Sequence, residues 1–331
     1  MKRVLVIGAG ERVVGAVLPA LWCLRDRFEV AGVLARTVKS LPVAGETVTT
    51  IDRLDAIDLR TIELVVVAVT TKQVPRVVTE LARRGAAHLT LMLDTPVLPP
   101  AGLHATRHFR SFARVIVSED TIALPPFVAA RRLIANGEIG RLRRIFFFHC
   151  GYKYHALASL KMLASATTVT RISSRKFAGK RRIKDIELDN GVAAVMYEPR
   201  DYAIGKFLIE GEHGFIADYE CARTPMRRLE YRLDGPVVRG VLVDGVPEPR
   251  TELDDLFDAG IDASVPDISP MGSMKIRGLL ELLVAATGAK SPHYLPSDAI
   301  SDNLQIQIVD KLGYLPAPSV LTRLLGLAVR S

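Results

Sequence analysis

Val4-Leu5-Val6-Ile7-Gly8-Ala9-Gly10 opens the chain with four β-branched or aliphatic residues that run into a glycine pair. An amphipathic segment at residues 14–27 follows, and then a second apolar run, Val30-Ala31-Gly32-Val33-Leu34, which stops at Ala35-Arg36-Thr37. Strand, glycine turn, helix and strand at this spacing predict half of a dinucleotide-binding fold, with the backbone N–H groups at the helix start offered to a pyrophosphate. Gly8 and Gly10, with Glu11 and Arg12 directly behind them, are the first candidate cofactor contacts. The fingerprint's third glycine position holds Val13, and Gly8-x-Gly10 alone would be a weak signal; the flanking strands and helix carry the reading. In the common form the second strand ends in Asp or Glu, which accepts from the adenosine ribose 2′-hydroxyl. Here it ends in a neutral residue and then Arg36, with hydroxyls at Thr37 and Ser40. A guanidinium and hydroxyls suit a 2′-phosphate better than a free diol, so NADP(H) is expected to be preferred over NAD(H).

Strand and helix patterns alternate through the first third. Residues 64–69 form a fully apolar run, as a parallel strand covered on both faces requires. Residues 74–84 read as a helix closed by Gly85, residues 89–93 and 114–117 as further strands, and residues 125–136 as a helix ended near Gly137. The grammar changes after a strand at 143–149. Residues 168–175, 191–197, 202–210, 214–220, 229–233 and 237–243 read as successive strands, which points to an antiparallel or mixed sheet. Helices at 273–287 and 297–312 close the pattern. The expected fold class is α/β: an N-terminal Rossmann-type domain with a doubly wound parallel sheet, residues 1–118, and a C-terminal α+β domain with a large, mainly antiparallel sheet, residues 119–331.

The 331 residues suit two domains of this size. No run approaches the roughly 18 unbroken apolar residues of a membrane span. No leader pattern precedes the first strand, and Cys23, Cys150 and Cys221 are scattered without metal-ligand spacing. A reduced, cytoplasmic protein without a metal is expected. The net charge of +8 arrives without any nucleic-acid-binding motif, so it suits an enzyme for anionic small molecules.

The order of landmarks resembles the Gfo/Idh/MocA family of NAD(P)-dependent oxidoreductases over nearly the whole chain. Thr70-Thr71-Lys72 matches the family's Thr-Pro-Asn type loop, and Asp94-Thr95-Pro96 matches its Glu-Lys-Pro. Pro125 opens a helix that ends at Arg132-Leu133-Ile134-Ala135-Asn136-Gly137-Glu138-Ile139-Gly140, the most family-like stretch, and the residues from Ile209 to Ile216 resemble its second-domain sheet. The resemblance implies that Thr70, Thr71, Lys72, Asp94 and Thr95 line the cofactor. Two positions depart from the pattern. Thr95 stands where the family has its lysine, and Gly151-Tyr152-Lys153-Tyr154-His155 keeps the His of Asp-x-x-x-His while losing the Asp.

Hydride transfer to or from a carbonyl needs a group that gives or takes a proton, and His is suited by its ordinary pKa near ~6.5. His155 is the expected catalytic residue, with Tyr154 or Tyr152 as helper. Lys153, Glu119 and Asp120 are substrate-side candidates, the two acids lying where the family approaches the nicotinamide. The expected activity is NADP-dependent oxidation or reduction of a small polar carbonyl or alcohol: a sugar, a sugar derivative or a biosynthetic intermediate. Loss of the lysine favours an alternative, a dinucleotide-binding sensor or partner without hydride chemistry. Seven cations at 171–184 and seven acids at 248–267 invite pairing with each other, and the apolar tail at 319–329 suggests docking on the body or a twin subunit. The second sheet should leave one apolar face for a homodimer or homotetramer.

Overall fold

The computed structural model describes residues 1–201, 205–220, 226–264, 268–288 and 294–316. The first third runs β1 (Lys2–Ile7), α1 (Leu18–Cys23), β2 (Phe28–Leu34), β3 (Ser40–Val43), β4 (Glu46–Thr49), β5 (Leu64–Val67), α2 (Val74–Arg83), β6 (Thr90–Asp94) and β7 (Arg114–Ser118). Strands β2-β1-β5-β6-β7 pair in that order and all in parallel. The order reverses between β1 and β5, and open α/β sheets bind ligands in the crevice outside such a switch point. The glycine turn leaves β1 at that place. β3 and β4 form a separate hairpin that the apolar pattern does not reveal.

The rest of the chain runs α3 (Pro125–Ala135), β8 (Leu142–Phe148), α4 (Lys153–Ala164), β9 (Val169–Lys176), β10 (Arg182–Leu188), β11 (Ala193–Glu198), β12 (Lys206–Gly211), β13 (Phe215–Ala217), β14 (Met226–Asp234), β15 (Val237–Val243), β16 (Val246–Pro247), α5 (Glu252–Ser264), α6 (Pro270–Thr287) and α7 (Pro296–Leu312). Nine of these strands form one sheet, ordered β16-β15-β14-β13-β12-β8-β11-β10-β9. Its pairs are antiparallel except β8 with β11 and β13 with β14. The architecture is thus a Rossmann-type parallel sheet followed by a large, mainly antiparallel one. Along β8 the side chains alternate: Ile145 and Phe147 are buried, while Phe146 and Phe148 are half-exposed. The buried face packs on α3 and α4 through Leu133, Leu157 and Leu160.

Val4, Leu5, Val6, Leu64 and Val65 are fully buried because both faces of the parallel sheet are covered. On one face Val4, Val6 and Leu21 join Phe257, Ile261, Leu279 and Leu283, so α5 and α6 of the second half roof the first sheet. On the other face Leu5 and Val65 pack with Val78 and Leu81 of α2.

The acidic segment is largely helical, which its charge conceals. Glu252, Asp254 and Asp255 crowd the first turn of α5, where the helix dipole favours them, while Leu253, Leu256, Phe257 and Ile261 recur at helical spacing. Its acids do not meet the basic segment within this chain among the described residues. Asp254 pairs with Arg277, Asp258 and Asp262 with Arg239, and Glu248 with Arg132. The basic segment finds nearer partners: Arg171 with Glu187, Arg175 with Asp185, and Arg182 with Asp310. Cross-strand geometry supplies the first two pairs, which removes the need for a distant acidic partner. The tail at 319–329, residues 202–204 of the strand expected at 202–210, and Cys221 lie outside the described residues. Burial pushes the Cys23 thiol up to about 12, and pushes Cys150 up as well, so neither carries thiolate chemistry.

Candidate active site

Gly8 takes φ +128°, and a Cβ there would lie 2.1 Å from the Ala68 carbonyl oxygen at the end of β5. Only glycine allows β1 and β5 to close on each other at this point. Gly10 has open space where a Cβ would sit, which is the clearance a pyrophosphate needs against the backbone. Val13 is fully buried where the fingerprint has its third glycine, and the helix opens there as a wide π turn over Val13–Val17. Lys39, which the sequence reading passes over, donates from Nζ to the Ala9 carbonyl at 2.7 Å. Arg36, Thr37 and Ser40 are exposed at the end of β2 and the start of β3, so Arg36 and Lys39 put two cations beside the glycine turn. Thr70 and Thr71 begin the turn into α2, whereas Lys72 lines an outer depression of α2 with Arg76, Arg83 and His104.

A second cluster forms at the carboxyl ends of β6 and β7. Arg12 reaches across the crevice: its Nε lies 3.2 Å from Asp94, its Nη1 2.6 Å from Asp120, and its Nη2 3.4 Å from Ser118 Oγ. Burial works against the Arg12 charge, but the two carboxylates outweigh it and hold its pKa above the ordinary value. Burial raises the Asp94 pKa, which the Arg12 charge only partly offsets. Burial would raise Asp120 too, yet there the Arg12 and Lys275 charges prevail and the pKa falls.

Beside this triad stands His155, in the first turn of α4. Its Nδ1 lies 2.8 Å from both carboxylate oxygens of Glu119, whose side chain is 0% exposed. Glu119 Oε1 also accepts from Thr121 Oγ1 at 2.5 Å and from the Thr121 backbone N–H at 3.3 Å. With Nδ1 committed, proton exchange with a ligand falls to Nε2. Tyr154 packs on the imidazole with ring centroids 4.2 Å apart. Burial raises the Tyr154 pKa, reinforced by Glu119 and Asp94, so the phenol stays protonated and serves as a donor. Thr95 joins Pro96 through a cis peptide bond. Tyr152 stands just before α4, with Lys153 Nζ 4.9 Å from its ring centroid.

What fixes the start of α4 is a carboxylate that the motifs do not flag. Glu198, at the end of β11, accepts from the Lys153 backbone N–H at 3.1 Å and from Lys184 Nζ. Lys184 is 0% exposed and also lies 3.1 Å from Asp310 of α7. The structure thus gathers Arg12, Asp94, Thr95, Glu119, Asp120, Tyr154 and His155 into one crevice. Ser118, Thr121 and Glu198 join them without a motif, recognisable only once β7 and α4 are seen to face each other.

These residues fit a dinucleotide, with the open face of Gly10 and the Lys39 cation at the pyrophosphate and adenosine end. Among the described residues no group of three or more His, Cys, Asp or Glu is arranged to hold a metal, and no helix is long and apolar enough to cross a membrane.

No known family profile matches the chain, and no curated protein matches it in sequence. Solved structures do. The chain is similar to an oxidoreductase from Agrobacterium radiobacter in complex with NAD+, L-tartaric acid and magnesium, with a TM-score of 0.66 at 12% identity over 97% of this chain and 99% of that one. An oxidoreductase from Thermotoga maritima gives 0.64 at 15% identity over 97% and 100%. A scyllo-inositol dehydrogenase from Lactobacillus casei with bound NAD(H) and scyllo-inositol gives 0.62 at 11% over 95% and 98%. The chain shares the fold of these solved oxidoreductases and dehydrogenases.

Proposed function

We propose that this chain is an NADP-dependent oxidoreductase acting on a small polar alcohol or carbonyl, such as a sugar or sugar derivative, with His155 as its acid–base group. The observation that carries the reading is the Glu119–His155 pair, set beside the carboxyl ends of β6 and β7. The structural neighbours, several of which bind NAD(H), support the nicotinamide part. A bound nicotinamide would accept or supply the hydride. In the alcohol-to-carbonyl direction the hydroxyl proton passes to His155 Nε2 as the carbinol hydrogen leaves as hydride, and Glu119 at Nδ1 holds the ring in place and stabilises the imidazolium. In the reverse direction the same nitrogen returns the proton. Tyr154, kept protonated by burial, donates a hydrogen bond to the reacting oxygen. The test is oxidation of NADPH by wild type against a panel of polyol-derived ketones and aldehydes; binding of NADPH with no turnover would favour the sensor reading, to which Thr95 and Gly151, in place of the family's lysine and Asp, lend support.

Arg36 and Lys39 favour a 2′-phosphate, and no acid ends β2 to repel one. NADP(H) is therefore expected to bind more tightly than NAD(H), and Arg36→Ala to forfeit about 1.5–3 kcal/mol of that preference, as for a charge-assisted hydrogen bond. Titration of both cofactors into both proteins checks this, and equal affinities in wild type overturn it.

We further propose a homodimer formed through the outer face of the nine-stranded sheet. Phe146 stacks on Phe148 with centroids 5.8 Å apart, and Tyr197 lies 5.5 Å from Phe148, all half-exposed on that face. Arg175 and Asp185 interleave on the adjacent strands, a charge pattern that can complement its own copy across a two-fold axis. Light scattering at micromolar concentration should report a dimer or a dimer of dimers; a monomer contradicts the proposal.

A further inference from the structure

We propose that Thr121 is a positioning residue for His155: its hydroxyl holds the Glu119 carboxylate as an acceptor toward Nδ1, and so reserves the bare lone pair of the neutral imidazole for Nε2. This rests on the acid–base reading above and concerns the same site. A neutral imidazole carries one proton, and the hydrogen bond made by one ring nitrogen decides which of the two holds it. A carboxylate at Nδ1 only accepts, so it selects the Nδ1–H tautomer and leaves Nε2 free to take a proton. A carboxylic acid or an amide in that place can donate to Nδ1 instead. Nε2 then carries the hydrogen and is no longer a base.

What keeps Glu119 an acceptor is the turn in which it stands. Glu119 caps a short 3-10 turn, Asp120–Ala123, directly after β7, and the capping carboxylate is the one that holds the imidazole. It is fully buried, and among the described residues its donors come from His155 and Thr121 alone. Thr121 supplies two of them to Oε1, a hydroxyl at 2.5 Å and a longer backbone N–H at 3.3 Å. The hydroxyl has one proton to give. The His155 carbonyl also lies within its reach, at 3.4 Å, but the shorter contact to a charged oxygen prevails. Ser159 Oγ lies behind, 3.0 Å from the His155 carbonyl and 3.3 Å from Thr121 Oγ1, and donates to either without competing for Glu119. β-Branching stiffens the Thr121 side chain, which aims the hydroxyl. Thr121 and Ser159 are both buried, so bulk water does not replace a lost donor. Without the hydroxyl, the buried carboxylate relieves its charge by binding a proton and then donates to Nδ1.

The test reads the tautomer directly in the ligand-free protein, by nitrogen-15 NMR of histidine-labelled wild type, Thr121→Val, Thr121→Ser and Glu119→Gln at a pH where the His155 ring is neutral. His155→Ala identifies the signals. Wild type should hold the proton on Nδ1. Thr121→Val keeps the shape of the side chain and loses the hydroxyl, and should raise the Nε2–H share about tenfold or more, the effect of one hydrogen bond to a charged group. Thr121→Ser should restore the wild-type pattern, and Glu119→Gln should move the proton to Nε2. A role confined to the fold would lower the melting temperature of Thr121→Val and leave the tautomer as in wild type, which overturns the proposal. So does a wild-type ring protonated on Nε2, a result that needs no variant to fold. Failure of the underlying reading shows separately, as no oxidation of NADPH by wild type with any member of the carbonyl panel, whichever tautomer is found.

Discussion

His155→Ala is expected to lower the rate of the chemical step by about 10²–10⁴, the usual contribution of general acid–base catalysis. Glu119→Gln should lower it too, through a carboxylate that holds the imidazole and offsets its charge, without itself touching the substrate. The affinity for NADPH should hardly change in either variant, because the proposed contacts to the dinucleotide come from the glycine turn, Arg36 and the loop that follows β5. Single-turnover oxidation of NADPH at substrate saturation separates the two quantities. A His155→Ala variant that keeps near-full rate would transfer the proton role to Tyr154 or Tyr152 and end the present assignment.

The second large effect concerns stability. Lys184 is fully buried and faces Glu198 and Asp310, of which Glu198 is itself almost inaccessible. Removing one member of such a group leaves an uncompensated buried charge, so Lys184→Met should destabilise the protein by about 3–5 kcal/mol. Urea denaturation measures it. The double variant Lys184→Met/Glu198→Leu should recover part of the loss and no more, because Glu198 also receives the Lys153 N–H that starts α4. A single variant that loses less than about 1 kcal/mol would show that the pair contributes little beyond an apolar filling.

The parallel sheet and most of the second sheet are legible in the sequence for a plain reason: their strands are apolar runs, continuous where both faces are covered, as in Leu64–Val67, and alternating where one face is, as in β8, whereas β10 lies inside the basic segment and its charges hide it. α5 is not legible in that way because its charge dominates its composition, although Leu253, Phe257 and Ile261 already mark its buried side. The candidate site divides similarly. Gly8, Gly10 and His155 stand at recognisable places in motifs. Arg12 stands directly behind the glycines, but its role is not legible: nothing local says that it will bridge the ends of β6 and β7, since its partners are 82 and 108 residues away. Lys39 and Glu198 likewise act through contacts that only the assembled sheets create.

Because α5 and α6 roof the first sheet, the chain's beginning is finished by its end. Val4, Val6 and Leu21 pack early against Val13, Val17 and Leu24, but their cluster is completed only when residues beyond 250 have been made and have travelled back to it. The N-terminal sheet therefore cannot reach its final burial while the ribosome is still working on the second sheet, whose neighbouring strands close over shorter distances. The newborn chain carries an unroofed apolar surface through most of its synthesis, which makes the glycine turn and the crevice beside it among the last parts of the molecule to become firm.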